Sequence, residues 1–99
     1  MYRGTTPTLR FALPFETSLV KTAYITFFQK DRKQFEKNLS DCVLESNQLV
    51  VTLSQEETLR FVTNVPLMIQ IRTVLNDGKA KASKIMEVKV YDVLKDGVI

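Results

Sequence analysis

The chain contains no histidine, no tryptophan and a single cysteine, and its 99 residues include only three glycines and three prolines. Each shortage removes a class of chemistry. Without histidine there is no imidazole to activate a nucleophile, to shuttle a proton at neutral pH or to ligate zinc in the commonest way. A lone cysteine forms no internal disulfide, and Cys42, followed by Val43 and Leu44, reads as a small core residue rather than a reactive thiol. Scarce glycine and proline leave no linker or low-complexity segment. No apolar run approaches the ~20 residues of a membrane helix. The opening Met1–Pro7 holds no apolar stretch suited to a secretory signal. The expectation is a chain that is cytoplasmic as synthesised, with later incorporation into a larger particle left open.

Hydrophobic residues make up 44% and charged residues 25%, the mix of an ordinary globular domain, and the net charge of +3 permits a polyanionic partner without demanding one. A length of 99 residues fits one domain, with 1–6 and 95–99 expected as flexible tails.

Period-two alternation runs through the sequence. Leu9, Phe11 and Leu13 alternate with polar or small neighbours between Pro7 and Pro14. From Leu19 to Gln29, Ala23, Ile25 and Phe27 line one face and Tyr24, Thr26 and Phe28 the other. Bulky groups on both faces predict a central strand, or one whose second face meets a partner. A turn at Lys30–Lys33 leads to a short strand around Phe35, and a weaker strand spans Asp41–Glu45. In Gln48–Leu53, Leu49, Val51 and Leu53 point inward and Gln48, Val50 and Thr52 outward. Val65–Leu75 sets Leu67, Ile69, Ile71 and Thr73 against Met68, Gln70, Arg72 and Val74. Asn76–Lys79 is a turn in which Gly78 supplies positive φ. The returning strand carries Met86, Val88 and Val90 inward, and its alternation fails at Ser83–Ile85, predicting a bulge or bend.

One helical signal interrupts the strands. Ser54 with Glu57 three residues later makes a capping box, predicting a short helical turn near 54–60 that links two sheets. Some seven short strands with regular turns predict an all-β, antiparallel two-sheet sandwich of immunoglobulin-like type.

Candidate sites are few. Glu56 and Glu57 are neighbours and do not face one another, so they suit helix capping rather than paired acid–base work. Asn76–Gly78 lacks the spaced acids of a calcium loop. No phosphate loop, nucleophile elbow or paired-cysteine motif occurs. No enzymatic activity, cofactor, metal or small-molecule substrate is expected. Lys30, Arg32, Lys33 and Lys37 form a basic cluster that could contact a polyanion, although Asp31 and Glu36 within it favour a solvated turn. Lys79, Lys81, Lys84 and Lys89 suit an exposed strand protected from aggregation. Tyr24, Phe28, Met68 and Val74, with Val98 and Ile99 in the tail, are the apolar excess. They make either a protein interface or the core of a second sheet.

The segment Tyr2-Arg3-Gly4-Thr5-Thr6-Pro7-Thr8-Leu9-Arg10-Phe11-Ala12-Leu13 resembles the opening of the N-terminal domain of phage baseplate upper proteins and related short prophage proteins. Leu49–Phe61, a strand followed by a polar Glu-Thr turn, is similar, as is Ile69-Gln70-Ile71-Arg72 with Asn76-Asp77-Gly78 and the valine-rich return. The resemblance implies an immunoglobulin-like structural or docking module of a phage tail or prophage particle, acting through protein partners or self-association. In that family a longer receptor-binding region follows the domain. With the sequence ending at Ile99, an accessory or assembly subunit is expected rather than a host-recognition protein. The alternative from another class is a small basic nucleic-acid-binding barrel. A sugar-binding sandwich is disfavoured by the lack of tryptophan.

Overall fold

A computed structural model describes residues 1–99, and in it the alternation becomes two antiparallel sheets facing one another across a single core. The strands are β1 (Thr8–Ala12), β2 (Val20–Gln29), β3 (Arg32–Asn38), β4 (Val43–Glu45), β5 (Gln48–Thr52), β6 (Leu67–Leu75), β7 (Ala80–Ala82) and β8 (Met86–Val88), with one short helix, α1 (Gln55–Leu59), between β5 and β6. The smaller sheet has the order β1-β5-β4. The larger has the order β3-β2-β6, and β7 and β8 both pair with the far edge of β6. The single long return strand expected after Gly78 is thus two pieces. The break falls at residues 83–85, where the alternation fails. There Ser83 bonds Ile71 twice, its N–H donating to the Ile71 carbonyl and its hydroxyl accepting from the Ile71 N–H.

The core draws on both inner faces. Ala23, Ile25 and Phe27 of β2 and Leu67, Ile69 and Ile71 of β6 meet Phe11 of β1 and Leu49 and Val51 of β5, with Phe61 and Val90 from the connections. Phe27, Phe35 and Phe61 stack as a triplet, with ring centroids 4.7 to 6.2 Å apart. Every buried side-chain polar atom has a partner, which is what an apolar core requires of any polar group it encloses.

Local chemistry explains the connections. The β2–β3 hairpin turns on Lys30 and Asp31 alone, both at positive φ (52° and 59°). The pair matches the right-handed strand twist without glycine, so β3 starts at Arg32, earlier than the sequence suggests. Ser54 caps α1 as expected: its hydroxyl accepts from the Glu57 N–H and the Glu57 carboxylate accepts from the Ser54 N–H. Gly78 sits at φ +87° in the β6–β7 turn.

Four expectations need correction. Val50 is buried although it belongs to the outward set. Arg10 and Val43 flank it in register, and Arg10 reaches diagonally across β5 to Glu45 at 2.7 Å. The weaker strand read over Asp41–Glu45 shrinks to the three-residue edge strand β4, in which Leu44 is 45% exposed. Cys42 is only half-buried, against the side of the core.

Residues 1–3, finally, are not a loose tail. Tyr2 bridges Tyr91, the Tyr91 N–H donates to the Met1 carbonyl and the Arg3 N–H to the Tyr91 carbonyl. The Arg3 guanidinium donates to the carbonyls of Leu59 and Phe61 and forms ion pairs with Asp92 (3.1 Å) and Asp96 (3.7 Å). One planar fork thereby ties the amino-terminal segment, the α1–β6 connection and the carboxy-terminal segment together.

Candidate functional site

In a two-layer sandwich each sheet has one face on the core and one outside it. The outer face of the larger sheet is where the apolar excess lies. Antiparallel pairing places directly opposed residues on the same face. Across β2 and β6 the outer pairs are Thr22 with Val74, Tyr24 with Arg72, Thr26 with Gln70, and Phe28 with Met68. Four of the residues singled out in the sequence, Tyr24, Phe28, Met68 and Val74, therefore share one surface. Tyr24 is 46% exposed and Phe28 36%. The expectation that β2 is central also holds, since β3 and β6 flank it. A shallow groove of about 350 Å³ runs between Phe28, Met68, Gln70, Arg72 and Ile85. A second depression, of about 300 Å³, lies beside Tyr24, Arg72 and Val74.

Two members of this face are missed by sequence reasoning as site residues. Ile85, 60% exposed, lies in the break between β7 and β8. Its only signal is the failed alternation. Arg72 is assigned outward by the alternation, but its opposition to Tyr24 is tertiary information.

Val98 and Ile99 are exposed, but the tail that carries them lies at α1 and not on this sheet face. The Ile99 N–H donates to the Gln55 side-chain oxygen at 2.8 Å, which places the tail against α1.

The basic cluster is dispersed. Lys33 pairs with Glu36 at 3.6 Å. Lys37 lies opposite Ile25, on the inner side of the sheet, and pairs with Glu57 of α1 at 2.6 Å, the two side chains being 18% and 19% exposed. Lys30 and Arg32 remain exposed at the hairpin, without a carboxylate within 4.0 Å. Of the four cations, two are thus paired with carboxylates and two are not.

Partial burial alone would raise the Glu57 pKa. The Lys37 ammonium and the Ser54 backbone and hydroxyl outweigh it and hold the carboxyl below the usual glutamate value. A depressed folded-state pKa contributes stability above the unfolded value, and that contribution is lost as pH falls through the folded one. Glu57→Gln removes the contribution. Thermal unfolding is therefore expected to separate wild type and Glu57→Gln at neutral pH, with the gap closing as acid titrates Glu57; a gap constant with pH contradicts the assignment.

The Cys42 thiol has its pKa raised, first by burial and then by the neighbouring Asp41 carboxylate, against a smaller lowering by Lys37. Thiolate is the reactive form, so Cys42 is expected to react with a thiol reagent at pH 7 more slowly than free cysteine. Faster labelling would contradict this.

Fold and surface define an all-β sandwich with one uncovered, mixed aromatic and aliphatic sheet face. No family model, curated protein or solved structure matches the chain.

Proposed function

We propose that this protein is a non-enzymatic structural or docking module that works through protein–protein contacts on the outer face of its larger sheet. The observation that carries the reading is the placement of Tyr24, Phe28, Met68, Val74 and Ile85 on one surface with Arg72 among them. Aromatic residues, methionine and arginine are the types enriched at interface centres. The resemblance of the opening segment and of Leu49–Phe61 to phage baseplate domains supports a finer reading: a prophage-derived, immunoglobulin-like subunit of a tail or baseplate particle. The dispersal of Lys33 and Lys37 into ion pairs weighs against the nucleic-acid-binding alternative.

The test is hydroxyl-radical footprinting of the protein in the assembly it forms in its host, compared with the dissociated chain. Protection of Phe28, Met68 and Ile85 in the assembly, with unchanged reactivity at Val43 and Leu44 of the other sheet, is expected. Equal reactivity of Phe28, Met68 and Ile85 in both states overturns the reading. So does tight, salt-sensitive binding to oligonucleotides that covers the same residues, because neutralised phosphates release counterions.

A further inference from the structure

Charges on the docking face decide what it can meet. Strand register places four ionic side chains on it, Lys33, Glu36, Arg72 and Glu87, and exposed Lys84 adjoins it in the break beside Ile85. Lys33 and Glu36 neutralise one another at the β3 margin. Glu87 of β8 stands opposite Met68, and Arg72 stands opposite Ala82 of β7 and Tyr24 of β2, so both belong to the outer face. Both are exposed, and neither has an oppositely charged group within 4.0 Å. Four residues along β6 and one strand across separate them by ~14 Å. Met68, Gln70 and Ile85 lie between or beside them.

This is a self-complementary pattern. In a two-fold contact residue i meets residue j and j meets i. A two-fold axis lying between two facing copies, parallel to the sheet, perpendicular to the line from Arg72 to Glu87 and passing over Gln70, brings each Arg72 onto the Glu87 of the facing copy and lays the two apolar strips together. Two separated free charges of opposite sign fit a rotated copy of the same surface. A purely acidic partner would leave Glu87 repelled, and a basic one would leave Arg72 repelled. The molecule measures 47 × 26 × 17 Å, so a broad face can supply the ~800 Å² per partner of a standard interface.

From this we infer that the docking face binds a second copy of this chain, giving a symmetric dimer closed by two Arg72–Glu87 ion pairs around a centre of Met68 and Ile85. The inference rests on the docking reading above and names its partner. Each charge reversal puts like charges together at both symmetric sites, so Arg72→Glu alone or Glu87→Arg alone is expected to weaken the dimer about 100-fold. Mixing the two single variants recreates opposite charges at both sites, because each variant supplies what the other lacks. The mixture is expected to dimerise as wild type does.

Sedimentation equilibrium of wild type, each single variant and the equimolar mixture makes the test. A wild-type dimer, monomeric single variants and a dimeric mixture support the inference. A wild type that stays monomeric to ~1 mM overturns it, as do single variants as dimeric as wild type, or a mixture that remains monomeric. A monomer whose face is nonetheless protected in a complex with a different protein also overturns self-association while leaving the docking reading standing. A monomer with no protection on that face ends both.

Discussion

Phe27→Ala is expected to lower the free energy of unfolding by about 3–5 kcal/mol, whereas Phe28→Ala, one residue further along the same strand, is expected to cost about 1 kcal/mol or less. The contrast comes from the pleat. Phe27 is fully buried and stacks on Phe35 at 4.7 Å and on Phe61 at 6.2 Å. Its removal leaves a cavity lined by rings that cannot collapse into it. Phe28 faces out beside an open groove, 36% exposed, so its truncation widens that groove and leaves no closed cavity. A domain of this size has about 5–15 kcal/mol in total, so the first substitution consumes much of it and the second little. Urea denaturation of the two variants reads the difference directly. Similar midpoints would mean that the two faces of β2 are wrongly assigned.

The second large effect is expected at Gln29, where a single amide closes the end of the sandwich. Its Oε1 accepts from the Val62 N–H at 2.8 Å, and its Nε2 donates to the carbonyls of Val62 and Val65, each at 2.9 Å. Gln29 is 1% exposed, so these three bonds are made away from water. Gln29→Leu keeps the size of the side chain and deletes all three. Orphaned buried backbone groups cost about 1–3 kcal/mol each, and partial rehydration of the loop reduces the sum, so a loss of about 3 kcal/mol is expected. Faster amide exchange at Val62 should accompany it. A loss under ~1 kcal/mol would show that the loop finds other partners without strain.

These two residues mark how far the sequence is legible. The inward set of β2 and β6 can be read directly, because alternation depends only on the period of the strand and on which residues avoid water. The Ser54–Glu57 cap is legible for a similar reason: both partners lie within one helical turn. Gln29 is not legible. It ends its strand like any polar residue, and the loop it satisfies lies more than thirty residues away. Arg3 is hidden in the same way, since its partners at Leu59, Phe61, Asp92 and Asp96 are distant in sequence.

The site divides along the same line. Tyr24, Phe28, Met68 and Val74 are each visible as outward apolar residues, but whether they face a partner or a second core depends on sheet order. The smaller sheet packs on the opposite side of β2 and β6, and that leaves them uncovered. Ile85 and Glu87 join them through the displaced start of β8. Val50 shows the converse failure: an outward position is buried because an arginine crosses over it to reach Glu45.

A cysteine scan along β2, in a Cys42→Ala background, tests the central claim most directly. Single cysteines at Ala23, Tyr24, Ile25, Thr26, Phe27 and Phe28 would be labelled with a thiol reagent in dilute protein and again at high concentration. The expected result is slow labelling at 23, 25 and 27 throughout, with fast labelling at 24, 26 and 28 that slows when the protein is concentrated. Labelling of 24, 26 and 28 that stays fast at every concentration would contradict a sheet face built to be covered by a second copy.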